Sequence, residues 1–266
     1  MRPIILFRRC FDLNDVDLQE EFEIAKQYCD VVETRTEVPP GSLVIGRYSV
    51  LPYYDELEKE LKLNNSQLIN THSEHRYVAD LCQYAEDLGN YTPRTYTTWG
   101  HLQEGAWIVK GKTNSRKFNW DTMMYAEGRT KLLEVIKRLL DDPFISEQGL
   151  VVRDYIPLEI LEYSLHGLPI AKEWRCFFYK ETLLASGFYW SSHADMYDEP
   201  LPEEGRLFAE QVAKIVSPHC SFFVMDVAKR QDGGYVVIEL NDGQMSGLSM
   251  VDPHELYRNL IKATKD

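Results

Sequence analysis

Five cysteines in 266 residues, at positions 10, 29, 82, 176 and 220, are odd in number and widely spaced. That excludes a disulfide framework and a tetrahedral zinc site. Four of the five sit among apolar or aromatic neighbours, which suits buried free thiols in a reducing compartment. Long apolar runs are lacking too. The run Ile4–Phe7 spans only four residues, too few for the core of a signal peptide. No segment nears the roughly eighteen apolar residues of a membrane span. Positive charge is in deficit, with 29 Lys and Arg against 42 Asp and Glu and a formal net charge of −13. Such a field repels nucleic acid and anionic membranes, so neither is expected as a partner. Internal repeats, low-complexity tails and a nucleophilic triad are also missing. What remains is a globular chain expected in the cytoplasm, long enough for one large or two modest domains.

Short apolar runs alternate with helical patterns in the first 90 residues. Pro3–Phe7, Val31–Thr34, Ser42–Ile45 and Gln67–Ile69 read as strands. Val16–Tyr28, Tyr53–Leu61 after Pro52, and Ser73–Leu88 closed by Gly89 read as helices. This alternation predicts a small, mostly parallel α/β domain over 1–92, with Tyr91-Thr92-Pro93 as its boundary. Beyond it the pattern changes. Ala106–Lys110 and Leu150–Tyr155 read as strands, and Ala171–Tyr179 with Leu183–Trp190 as an antiparallel pair about Lys180-Glu181. Gly128–Leu140, Glu203–Val216 and a segment from Pro253 read as helices. Strand pairs separated by helices predict an α+β domain over 93–266.

The most informative stretch is VVIELND, near the carboxyl end. Val236–Leu240 reads as a strand, FFVMD as another, and Asp232-Gly233-Gly234 as the turn between them. Paired as a hairpin, these strands bring Asp226 near Glu239, while Glu239 and Asn241 share one face. Two carboxylates and an amide oxygen suit Mg²⁺, which keeps several waters and is completed by substrate phosphates. Mn²⁺ is the substitute such a site would accept. The same spacing describes a hairpin whose acids are merely solvated. Asp242 reads as turn chemistry, and Gly243 and Gly247 either as positive-φ turns or as the flanks of a substrate loop.

These residues, in this order, resemble the ATP-grasp superfamily of ATP-dependent carboxylate–amine ligases, and within it the clade named for two arginines and one lysine (R2K), found in phage and bacterial proteins. The resemblance covers about 93–266. It implies two α+β subdomains clasping the nucleotide, a lid-like one at about 97–152 and a metal-binding one at about 156–266, preceded by the small α/β domain. It further implies that Asp226, Glu239 and Asn241 hold Mg²⁺, that Lys110 in AWIVKG meets ATP phosphate, and that VVRDYIPL passes under adenine. The family's acid-x-Arg motif matches Glu173-Trp174-Arg175. Where many relatives carry Gln-Glu or Glu at the hinge, this chain has Arg153-Asp154. Arg153 is then expected to reach phosphate, while the backbone of Asp154, Tyr155 and Ile156 meets the adenine edge. The phosphate loop Gly111–Arg116 has a single glycine, yet its backbone N–H groups, Lys112, Ser115 and Arg116 suit a phosphate cradle.

The resemblance implies attack of a substrate carboxylate on the ATP γ-phosphate, then displacement of phosphate from the acylphosphate by an amine, the substrates being small molecules, amino acids or peptides. Lys110, Arg153 and Arg175 are the expected catalytic cations, Arg175 facing the tetrahedral intermediate. In the leading domain Arg47-Tyr48-Ser49 and Asn70 follow strands at their carboxyl ends, where α/β sheets place ligands. Arg47, Asn70, Gln244 and Ser246 are the candidate substrate contacts. Plainer accounts stay open. Lys110 also reads as a strand-end surface charge, Lys112, Arg116 and Lys117 as a solvated loop with Lys117 purely surface, and Arg175 as the ion-pair partner of Glu173. A kinase-like phosphotransferase, a nucleotide-binding regulator and a non-enzymatic α/β binding module are the rival functions.

Overall fold

The computed structural model describes residues 2–8, 16–48 and 53–265, so Cys10, Ser49 and Pro52 lie outside it. The chain begins with β1 (Arg2–Phe7), α1 (Val16–Ala25), β2 (Val31–Val32), β3 (Ser42–Arg47), α2 (Tyr54–Leu63), β4 (Gln67–Leu68) and α3 (His72–Ala79). The strand expected over 31–34 is cut short because Thr34 opens a 3-10 turn, where the Glu37 carboxylate accepts the Thr34 N–H at 2.9 Å. The helix expected over 73–88 is two, α3 and α4 (Leu81–Leu88). Asp80 leaves helical geometry and accepts the Cys82 N–H at 2.9 Å, an N-cap in place of a continued helix.

There follow β5 (Thr95–Tyr96), β6 (Ala106–Gly111), α5 (Trp120–Met123), β7 (Tyr125–Glu127), α6 (Gly128–Leu140), α7 (Pro143–Ser146) and β8 (Leu150–Asp154). The rest comprises β9 (Ile160–Tyr163), β10 (Pro169–Ala171), β11 (Glu173–Tyr179), β12 (Thr182–Phe188), α8 (Ala194–Tyr197), α9 (Glu203–Val216), β13 (Phe222–Lys229), β14 (Tyr235–Asp242) and α10 (Pro253–Ala263). None of the helices among the described residues is long and apolar enough to cross a membrane. Cys29, Cys82, Cys176 and Cys220 are free thiols. Burial pushes the Cys29 thiol up to about 11, so it stays protonated near neutrality.

Two compact units emerge. One comprises Met1–Val78, Trp174–Met225 and Leu240–Asp266, the other Ala79–Glu173 and Asp226–Glu239, with boundaries inside α3, β11, β13 and β14. In the first unit the sheet β2-β1-β3-β4 is parallel throughout. Ile5, Phe7, Leu43 and Ile45 face a core shared with Phe22, Phe177, Phe222 and Tyr257. Ile4, Val44 and Leu68 face the other way, onto Leu57 and Leu61 of α2. Burial on both faces is why these strands read as unbroken apolar runs.

In the second unit the sheet β5-β8-β6-β7 is antiparallel. Trp107, Val109, Leu150 and Val152 turn one face onto Leu132, Val135, Ile136 and Leu139 of α6. By alternation Ile108, Lys110, Val151 and Arg153 share the opposite face, and the register pairs Ile108 with Arg153 and Lys110 with Val151. A third sheet has the order β12-β11-β13-β14, its last two strands joined by the expected turn, where Gly233 takes φ +91°. The antiparallel pair β11–β12 turns at Lys180, which takes φ +52°.

Candidate active site

Lys110 is the last residue but one of β6, and the residues before it fix its direction. With Trp107 and Val109 packed on α6, Lys110 must project from the uncovered face, and there it is only 6 % exposed. Its ammonium donates to a Glu239 carboxylate oxygen, both side chains being largely buried. Arg153, on the same face and 5 % exposed, donates from Nη1 to the Ile238 carbonyl and from Nη2 to the Thr92 hydroxyl, each at 2.7 Å. Its Nε is buried without a hydrogen-bond partner among the described residues. Thr92 in turn donates to the Val237 carbonyl at 2.9 Å, so Arg153 and Thr92 both grip the strand that carries Glu239.

The charges in this cluster act on one another. Burial disfavours the Glu239 anion, but Lys110, Lys117 and Arg153 outweigh it and hold the carboxyl well below its usual range. Burial pulls Lys110 down from its ordinary value, and Glu239 offsets part of that. Lys117, read above as a surface charge, is half-buried and acts on both groups. Its signal in the sequence was position alone, the last cation of a polar loop. Asp226, on β13, is 1 % exposed. Among the described residues no three His, Cys, Asp or Glu side chains gather to hold a metal. A metal at this end of the hairpin would therefore take few carboxylates and complete its shell with amide, water or phosphate oxygens.

The loop after β6 starts at Gly111, which the strand includes. A Cβ there would lie 2.7 Å from the Gln148 Oε1 and 3.1 Å from the Asn114 carbonyl oxygen, so a side chain would make the Gln148 amide swing aside and the Asn114 carbonyl give way slightly. Lys112 is half-buried, its N–H on the Gly149 carbonyl at 3.1 Å. Ser115 is half-buried with no hydrogen bond to another described residue. Arg116 makes two bonds to Asp142, 2.6 Å from Nε and 2.7 Å from Nη2, while that carboxylate also caps α7. A phosphate contact by Arg116 would exchange this pairing. In the segment expected to form the hinge, the N–H groups of Asp154 and Tyr155 go to the Arg94 and Ala106 carbonyls, and Ile156 is half-buried beside them. Tyr125 meets the Tyr155 ring edge-on at 5.1 Å.

In the first unit the four candidate substrate contacts are buried and bonded. Arg47, wholly buried, binds Glu21 at 2.8 and 3.0 Å, the Tyr48 hydroxyl at 3.0 Å and the Gly243 carbonyl. Asn70 donates to the Phe222 carbonyl at 2.6 Å and to Asp242 at 2.8 Å, and accepts the Phe222 N–H at 2.8 Å. Gln244 accepts the Gly46 N–H and donates to the Tyr54 hydroxyl, and Ser246 donates to the Asp242 carbonyl. A substrate contact from any of them would replace a bond already made. Asp242, read as turn chemistry, is instead a buried acceptor 2 % exposed. Neither Gly243 nor Gly247 takes positive φ, and a Cβ on Gly243 would lie 2.7 Å from the Phe222 ring. Glu173 is buried. Arg175 donates to the Gly247 carbonyl at 2.9 Å and lies over the Tyr189 ring at 4.8 Å. Asn241 is half-buried, and its side chain has no hydrogen-bond partner among the described residues.

The family model for the ATP-grasp domain of R2K clade family 3 matches residues 98–260. No curated protein sequence matches the chain. Among solved structures, D-cycloserine synthetase DcsG is similar over 99% of this chain and 99% of its own, at 12% identity and a TM-score of 0.64. The ATP-grasp ligase PsnB, complexed with precursor peptide PsnA2 and AMPPNP, is similar over 100% and 97%, at 11% identity and 0.59. The RimK-domain ATP-grasp protein of Sphaerobacter thermophilus is similar over 97% and 99%, at 13% identity and 0.57. These likenesses are of fold. The family model spans more than half of the sequence, and the chain accordingly belongs to R2K clade family 3 of the ATP-grasp domains.

Proposed function

We propose that this protein is an ATP-dependent carboxylate–amine ligase, forming an amide or peptide bond through an acylphosphate and releasing ADP and phosphate. The observation that carries the reading is the cluster in which buried Lys110 and Arg153 and half-buried Lys117 act on Glu239, in a protein of net charge −13. Positive charge is costly to bury, and a polyphosphate is the ligand that cations gathered about one strand suit. Arg153 Nε, a buried donor without an acceptor among the described residues, fits the same ligand.

The donor set fits Mg²⁺, or Mn²⁺ in its place: Asp226 and Glu239 supply carboxylates and Asn241 an amide oxygen that no described residue occupies. When bound, the metal neutralises phosphate charge. In the transfer itself a substrate carboxylate oxygen bonds to the γ-phosphorus as the bond to ADP breaks. The amine then attacks the acyl carbon, phosphate departs, and the amine loses a proton. Lys110 and Arg153 hold phosphate oxygens in line and absorb the charge that builds there. Lys112, Ser115 and the loop N–H groups after Gly111 cover the phosphates. Arg175, anchored beside Gly247, is assigned to the oxyanion of the tetrahedral intermediate.

In this proposal residues 1–92 are the leading domain, which selects substrate, and 93–266 the grasp domain. The precursor peptide in the PsnB complex supports a peptide or amino acid as one substrate. Binding to the native state raises its melting temperature by mass action, so Mg·ATP should do so and ATP with excess chelator much less. Equal shifts with and without divalent metal would sink the metal assignment. Glu239→Gln should abolish the metal-dependent part of the shift.

A further inference from the structure

Asp242 lies next to the proposed metal ligand Asn241 on β14, yet it turns the other way. Its carboxylate accepts from five donors of the first unit, one of them the Gln244 side-chain amide at 3.4 Å, the other four carried by its separate parts. These are the Tyr54 hydroxyl at the start of α2 (3.0 Å), Asn70 Nδ2 after β4 (2.8 Å), His75 Nδ1 on α3 (3.1 Å) and the Gln244 backbone N–H (2.9 Å). Asn70 spans further, taking the Phe222 N–H and giving to the Phe222 carbonyl, and Gly243 N–H reaches that carbonyl at 3.1 Å. One amide side chain thus ties the first residue of β13 to the last of β14.

A carboxyl group this deeply buried is tolerated because its acceptor sites are filled, and hydrogen bonds converging from several elements hold it in one orientation. Converging on the last residue of a strand, they fix its rotation about the strand axis. On a pleated strand that rotation sets where the side chains of the opposite face point, and Glu239 and Asn241 share that face. The Asn241 side chain has no hydrogen-bond partner among the described residues. Groups that orient metal ligands without touching the metal are worth about 10–100-fold in metal affinity.

We propose that Asp242 is a positioning residue: held by Tyr54, Asn70 and His75, it aims Asn241 at the divalent ion and so sets metal affinity. This rests on the ligase reading above. The plainer alternative, that the cluster only stabilises the fold, predicts no selective effect on metal.

The test uses Mn²⁺ as probe. Free Mn²⁺ is counted by its electron paramagnetic resonance signal in titrations of the full chain with a saturating non-hydrolysable ATP analogue. The parent, D242N and Y54F are compared, and nucleotide binding in chelator is read separately by thermal shift. D242N should weaken Mn²⁺ about 10–100-fold. Y54F, which removes one hydroxyl and keeps the ring, should weaken it several-fold. Chelator-resistant nucleotide binding should remain at the parent's level in both. Should D242N fail to fold, Y54F alone decides. Parent-like Mn²⁺ affinity in a folded variant overturns the positioning role, as does a matched loss of metal-free nucleotide binding. A parent protein without any nucleotide-dependent Mn²⁺ site would remove the ligase reading itself.

Discussion

Replacing Lys110 with Met tests the charge cluster directly. Burial raises the Glu239 pKa, and the three cations overcome it to leave about 2, against an ordinary 4.5. At about 1.4 kcal/mol per tenfold change, the ionised form is favoured by about 3 kcal/mol. Lys110 is the direct partner, while Lys117 and Arg153 stay in the variant, so K110M should lose roughly 2 kcal/mol of this at pH 7. That lies below the roughly 3–5 kcal/mol typical of orphaning a buried charge, because two cations remain. For a chain of this size the melting temperature should fall by about 4–8 °C. The sign with pH follows from the lowered carboxyl pKa. Glu239 contributes its full stability above about 4.5 and loses it as pH falls through about 2. In K110M the folded carboxyl pKa rises, so the loss starts from the same pH of about 4.5 but is complete at a higher pH than in the parent. The gap between the two proteins should be widest near neutrality and close as pH approaches 2. Adding E239Q to K110M should recover part of the deficit, read as a coupling of about 1–2 kcal/mol in a four-protein thermal or urea cycle. Additive single mutants, or a gap that does not change with pH, would refute the cluster as an electrostatic unit.

Arg47 is wholly buried and Glu21 is 2 % exposed, so R47M should cost about 3–5 kcal/mol in urea unfolding and the E21Q/R47M pair less than that. A mild R47M would mean that Glu21 finds another partner. Gly187→Ala would place a Cβ 2.3 Å from the Met250 backbone carbon and oxygen, where no side chain can swing aside. It should destabilise by about 1–3 kcal/mol or more in the same assay. Gly247→Ala, with open space at its Cβ, should stay within about 0.5 kcal/mol of the parent.

The parts readable from sequence are those with a local period. Trp107 and Val109 alternate with Ile108 and Lys110 within one strand, and the turn Asp232-Gly233-Gly234 names its own hairpin, so the strands that carry Lys110 and Glu239 are legible, while the role expected of Lys110 comes from the family resemblance. Gly128–Leu140 and Glu203–Val216, two long amphipathic helices, match their expected bounds to the residue. What escaped depends on distant partners or on very short elements. Asp242 looks like any acid before a glycine, and only Tyr54, Asn70 and His75, more than 160 positions away, make it a buried acceptor. Lys117 acquires its effect on Glu239 from the path of an irregular loop. Strands of two to four residues such as β5, β7, β9 and β10 hold too few positions to show alternation. Asp80 is as plausible on a helix surface as at a cap, so the break between α3 and α4 leaves no clear mark.

The central claim is bond formation between a carboxylate and an amine at the cost of ATP. Its most direct measurement is a mass-spectrometric screen in which the protein meets Mg·ATP with pairs drawn from amino acids and short peptides. The expected result is a product weighing the two reactants less one water, one ADP per product, absent with E239Q and absent when the amine is withheld. Phosphate transferred to a lone acceptor as a stable product, with no amine requirement, would contradict it and make the protein a phosphotransferase on the same fold.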